Sequence, residues 1–138
     1  ANIAMRFAVL FPEKVEKLVL DGGNMIPNGM KLLVLVEVLL GYFLCGILRR
    51  FHPKAKKGVE LFRLMVEDPN LTDEELRSIT APSLVMAGDK DMIRESHTRK
   101  IASLIPRSEL VILKGSHFVA HENPSEFNRC VLGFLNRT

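Results

Sequence analysis

The chain has 138 residues, 47% of them apolar and 25% charged, with a net charge of +3. That balance excludes a disordered tail and fits one modest globular domain. So small a positive excess, with no recognisable binding motif, argues against a nucleic-acid partner. The two cysteines, Cys45 and Cys130, fall in unrelated contexts, which argues against a disulfide framework and for a reducing, cytoplasmic setting.

In chain order, residues 1–10 read as a helix on which Ala1, Ala4 and Ala8 share one face. Small side chains there let the backbone lie close against a sheet. A short strand over 17–20 leads into Asp21-Gly22-Gly23-Asn24, so that Asp21 lies at a carboxyl strand end. The pattern then changes over 25–70. Residues 32–48 are apolar except for Glu37, and fall short of the roughly 20 residues of a membrane span. With a central Glu37 and two glycines, a membrane helix is the weaker reading. Residues 49–57 form a basic patch, Arg49-Arg50-Phe51-His52-Pro53-Lys54-Ala55-Lys56-Lys57. Such clusters are usually solvated surface; an acidic substrate group or an anionic membrane surface is the alternative counterpart, and membrane contact is not the expected one. Thr72 and Glu75 have capping-box spacing and start a helix that leads back toward the next strand.

Two strand-like runs follow, each ending in a loop with chemistry in it. Ser83-Leu84-Val85-Met86-Ala87 runs into Gly88-Asp89-Lys90-Asp91, and Glu109-Leu110-Val111-Ile112-Leu113 runs into Lys114-Gly115-Ser116-His117. A helix-like stretch over 95–105 joins them, and a right-handed crossover of this kind makes the strands parallel. Both loops then leave the sheet at its carboxyl edge, where open α/β sheets assemble their sites. Alone, a loop aspartate usually closes a turn and a lone histidine is usually a surface or packing residue. This geometry, however, can bring the Asp91 carboxylate within reach of the His117 imidazole, where it would fix the tautomer and steady an imidazolium. Asp21 is a rival acid, and Asp89 reads as a turn or capping residue. No metal site is expected. His117 and His121 are four apart but Asn123-Pro124 follows closely, and a calcium loop beginning at Asp89 would have Arg94 where glycine is needed.

These residues resemble the α/β-hydrolase superfamily, specifically its C-terminal portion. The run from Ala81 to Ile93 resembles the acid strand and turn, with Asp91 on the triad acid, and Gly115-Ser116-His117-Phe118 with the amphipathic 127–135 resembles the histidine loop and last helix. Residues 1–8 and 11–15 resemble the helix that follows the nucleophile elbow. The resemblance implies parallel strands with flanking helices, a partial core over 1–24 and 71–138, and a helical lid over 25–70. Met25, Met30, Tyr42 and Phe43 are then candidate walls for a small ester or acyl substrate, with no cofactor.

The family orders its triad Ser, acid, His, with the serine in a G-x-S-x-G elbow. No such motif occurs in the sequence, so the serine is expected upstream of Ala1 and the chain alone is expected to be inert. The strand over 17–20, lacking the neighbour that carries the elbow, is expected to associate with that N-terminal segment or with a second copy through its open edge. The alternative function is a non-catalytic binding or assembly domain on the same fold.

Overall fold

A computed structural model describes residues 1–67 and 70–137 of the chain. Residues 68, 69 and 138, which fall in the expected lid and core, lie outside the described residues. The main elements run α1 (Asn2–Leu10), β1 (Leu18–Asp21), α2 (Leu32–Leu48), α3 (Pro53–Val66), α4 (Asp73–Arg77), β2 (Ser83–Gly88), α5 (Glu95–Leu104), β3 (Ser108–Leu113), α6 (Val119–Glu122) and α7 (Pro124–Leu135).

The three strands form one parallel sheet in the order β1-β2-β3. Asp21 pairs with Met86, and Gly88 pairs with Leu113, so the ends of the three strands share one edge. Every residue of central β2 is buried, as expected for a strand covered on both faces. Its two-residue period sends Val85 toward one layer and Leu84 and Met86 toward the other. In the first layer Met5 and Ala8 of α1, Leu76 of α4 and Ile101 and Leu104 of α5 close around Leu18, Leu20 and Val85. In the second, Val119 of α6 and Phe134 of α7 pack with Leu113 against β2.

Boundaries shift slightly from the sequence reading, and for local reasons. The last helix begins at Pro124 rather than Phe127, because proline has no amide proton to lose at a helix start and its fixed φ suits that position. β1 extends through Asp21, which makes Asp21 the last ladder residue rather than part of the loop. The capping box forms: Thr72 Oγ1 accepts the Glu75 amide at 3.1 Å and Glu75 Oε2 accepts the Thr72 amide at 2.8 Å. Glu75 also holds Arg6 at 2.6 Å, tying α4 to α1.

Helices α2 and α3 form a hairpin over the carboxyl edge. Its two helices approach closely at glycines: a Cβ at Gly41 would lie 2.6 Å from the Phe62 ring, and one at Gly58 2.7 Å from Cys45 Sγ. The hairpin is stitched to the core at its entry. Met30 bridges Ile93, Lys31 N–H donates to Met92 O at 2.9 Å, and Leu71 N–H donates to Met25 O at 2.9 Å. No helix is long and apolar enough to cross a membrane among the described residues. The outer side of β1 pairs with no strand among the described residues, and Ile3, Phe7 and Leu10 of α1 lie exposed.

Candidate active site

Parallel pairing of β2 with β3 places the loops after them side by side. Asp89 N–H donates to Leu113 O at 2.8 Å and Lys90 N–H to Gly115 O at 2.9 Å, so the acid loop continues the ladder into the histidine loop. Side chains add to this. The Asp89 carboxylate accepts the Gly115 amide at 2.9 Å, and Glu122 accepts both the Ser116 amide and the Ser116 hydroxyl at 2.6 Å. The backbone between Gly115 and His117 is thereby held from both sides.

Held there, His117 Nδ1 lies 2.9 Å from Asp91 Oδ1. Asp91 is 2% exposed, and the same oxygen accepts the Ile93 amide at 2.8 Å. A carboxylate acceptor at Nδ1 assigns the proton to that nitrogen and leaves Nε2 as a lone pair. Nε2 makes no hydrogen bond among the described residues. Gly22 allows the close approach of β1 to this pair: its φ is +58°, and a Cβ there would lie 2.5 Å from His117 Cε1 and 3.3 Å from Asp91 Oδ2.

Charge in the site is uneven. Burial raises the Asp91 pKa, but the hydrogen bonds from His117 and the Ile93 amide overcome it and hold the carboxyl below the usual range. Burial, then the neighbouring Asp91 charge, push Asp21 upward. Asp21 Oδ1 is buried without a partner, so Asp91 rather than Asp21 holds the imidazole. The hydrogen bond to Asp91 raises the His117 pKa above its ordinary value, against burial.

Two consequences of opposite sign follow for pH. A raised folded-state pKa stabilises the fold below about 6.5, and that contribution fades as pH climbs through the raised value. A general base is needed neutral, so reactivity at Nε2 grows over the same interval. A histidine NMR titration is expected to show His117 titrating above the ordinary imidazole value, with Asp91→Asn lowering it. An unchanged His117 curve in Asp91→Asn would mean that the two side chains do not meet in solution.

The imidazole lines a cleft of about 460 Å³ between sheet edge and hairpin. Its walls are Ile3 and Arg6 of α1, Met30, Leu61, Leu64 and Met65 of the hairpin region, and Met92 and Ile93 of the acid loop, with Asn2, Asp21, Gly22 and Asn24 at its base. It is a mostly apolar recess with a few convergent polar groups, the usual character of a small-molecule site. No serine lines it among the described residues.

Of the four wall residues expected from sequence, Met30 lines the cleft and the others do not. Met25 is 2% exposed in the core between sheet and helices; its amide donates to His97 Nε2 at 3.2 Å. That contact uses a neutral imidazole, and burial, with Arg94 and Lys100 nearby, lowers the His97 pKa to about 4. Tyr42 turns toward α3 and donates to Glu67 at 2.7 Å. Phe43 is 64% exposed on the outer side of α2. No metal-binding group of side chains occurs among the described residues.

No family model matches the chain. It is 34% identical over 68 residues to an uncharacterised carboxylesterase of Bacillus subtilis, covering 47% of this chain and 23% of that protein. It is 30% identical over 73 residues to a proline iminopeptidase of Thermoplasma volcanium, covering 52% of this chain and 24% of that one. A solved α/β hydrolase from a lagoon-sediment metagenome superposes with a TM-score of 0.66 at 19% identity, over 96% of this chain and 55% of that one. The chain spans about a quarter of the length of the curated relatives it matches. The likeness shows the fold, which is that of the C-terminal portion of an α/β-hydrolase.

Proposed function

We propose that the chain supplies the acid and the base of a serine hydrolase acting on small esters or related acyl compounds, with its nucleophile in a segment outside these 138 residues. The observation that carries this reading is the 2.9 Å contact between Asp91 and His117 beside a largely apolar cleft. Nε2 takes the proton of the attacking hydroxyl while the oxygen adds to the acyl carbon. The resulting imidazolium, held by Asp91, returns the proton to the leaving oxygen as the tetrahedral intermediate collapses. Water repeats the sequence on the acyl-enzyme. The oxyanion hole in this scheme also comes from outside the chain, since it uses the amide after the nucleophile. The segment over 25–70, which contains the α2–α3 hairpin, acts as the lid, the protein works in the cytoplasm, and no cofactor takes part.

The open side of β1 is where the nucleophile strand would pair. A non-catalytic binding domain is the second reading, favoured by a cleft with no serine among its described lining residues. Turnover of a p-nitrophenyl ester separates the two. The full-length protein is expected to hydrolyse it and residues 1–138 alone to be inert. A full-length protein that binds the ester without turning it over would leave the binding domain standing.

A further inference from the structure

Helix α2 packs through one face. Val38 is its one buried residue, with Val34 and Leu35 half-buried beside it against Phe62 and Met65. The opposite face is apolar along its length. Val36, Leu40, Phe43 and Ile47 recur at the spacing of one helical stripe and are 52, 55, 64 and 54% exposed. Leu33, on the same side, is 78% exposed. Single exposed apolar side chains need no explanation, whereas a contiguous row of them marks a binding surface. Glu37 follows Val36 by about 100° and so lies on the flank rather than within the row.

A second feature adjoins the row. Arg49, Arg50, Lys54, Lys56 and Lys57 follow α2 directly, all exposed, with no acidic residue anywhere in 49–57. Their five charges exceed the net +3 of the whole chain. We propose that this apolar row and basic junction dock the protein on an anionic phospholipid surface, α2 lying in the interface with Leu40, Phe43 and Ile47 toward the acyl chains and the cations among the phosphates. The charge pattern selects this occupant. A second copy would bring five more cations and no acidic row, while an anionic bilayer offers apolar depth and negative charge together. Docking of this kind needs no spanning helix, and α2, with 17 residues, is too short to be one. It is also independent of whether the cleft is catalytic.

The test is co-sedimentation of the full-length protein with vesicles of phosphatidylcholine alone and of phosphatidylcholine with phosphatidylglycerol. Binding is expected to be at least about tenfold tighter on the anionic vesicles and to be released by high salt. Phe43→Ser with Ile47→Ser, and separately Arg49→Gln with Arg50→Gln and Lys54→Gln, should each lose about tenfold or more while melting like the wild type. Equal binding to both vesicles, or none, would overturn the proposal. So would a concentration-dependent dimer in light scattering that Phe43→Ser abolishes, since the face would then belong to a second copy. A serine pair that lowers the melting temperature and leaves vesicle binding intact would assign the row to the protein's own interior, again against docking.

Discussion

Replacing His117 by alanine in the full-length protein is expected to lower ester turnover by on the order of 10⁶, with KM little changed. The reason is that proton transfer occurs at Nε2 in the transition state and contributes little to ground-state binding. Asp91→Asn is expected to cost on the order of 10⁴, because the amide can orient the ring wrongly and no longer steadies the imidazolium. The double variant should be no worse than His117→Ala, since the pair acts as a unit. Asp21→Asn provides the contrast. Asp21 lines the cleft but makes no hydrogen bond to the imidazole, and its loss should leave most turnover in place. Steady-state kinetics of the four variants checks this, and an inactive Asp21→Asn beside a near-normal Asp91→Asn would reverse the assignment of the acid.

The second large effect is expected at Gly88, the last residue of β2. A Cβ there would lie 2.2 Å from Gly115 O and 2.3 Å from Ser116 O. Both obstacles are backbone atoms, and both belong to the loop that carries His117. Since Asp89, Lys90 and Glu122 pin that loop, it cannot swing aside cheaply. Gly88→Ala should therefore destabilise the fold by about 2 to 3 kcal/mol, in the upper range for an overpacked site. Displacing the imidazole by even about 1 Å should also lower turnover about a hundredfold. Gly133 is the control. It lies in α7 with nothing within 4 Å of an added Cβ, so Gly133→Ala should stabilise by up to about 1 kcal/mol. Urea unfolding of the two variants reads both signs at once, and a neutral Gly88→Ala would show that the two loops are not in contact.

How far the site was legible in the sequence differs from residue to residue. Asp91 and His117 could be placed because each follows a short apolar run at a turn, and parallel strand ends have only one edge at which to meet. The wall of the cleft could not. Helix α2 is apolar on every side, so no periodicity marks which face turns inward; the contacts Gly41–Phe62 and Gly58–Cys45 decide it. They turn Phe43 outward. Leu61 and Leu64 carry no sequence mark of a site, yet they line the cleft, because the hairpin hangs over the sheet edge rather than packing on its face. Met25 went the other way, since the turn after β1 folds it under the hairpin into the core. Glu122 has no local sequence signature of the loop contact it makes, since it lies six residues beyond Ser116. Asp89 does form a turn contact, but across to the neighbouring loop.

Covalent labelling tests the central claim most directly. A fluorophosphonate reacts with a serine only where a base takes up its proton, so the adduct reports nucleophile and dyad together. Intact mass and peptide mapping of the full-length protein should show one adduct, on a serine of a G-x-S-x-G motif preceding Ala1, and His117→Ala should slow its formation by several orders of magnitude. An adduct on a serine within residues 1–138, or none in a folded protein at saturating probe, would contradict the assignment of this chain as the acid and base of a serine hydrolase.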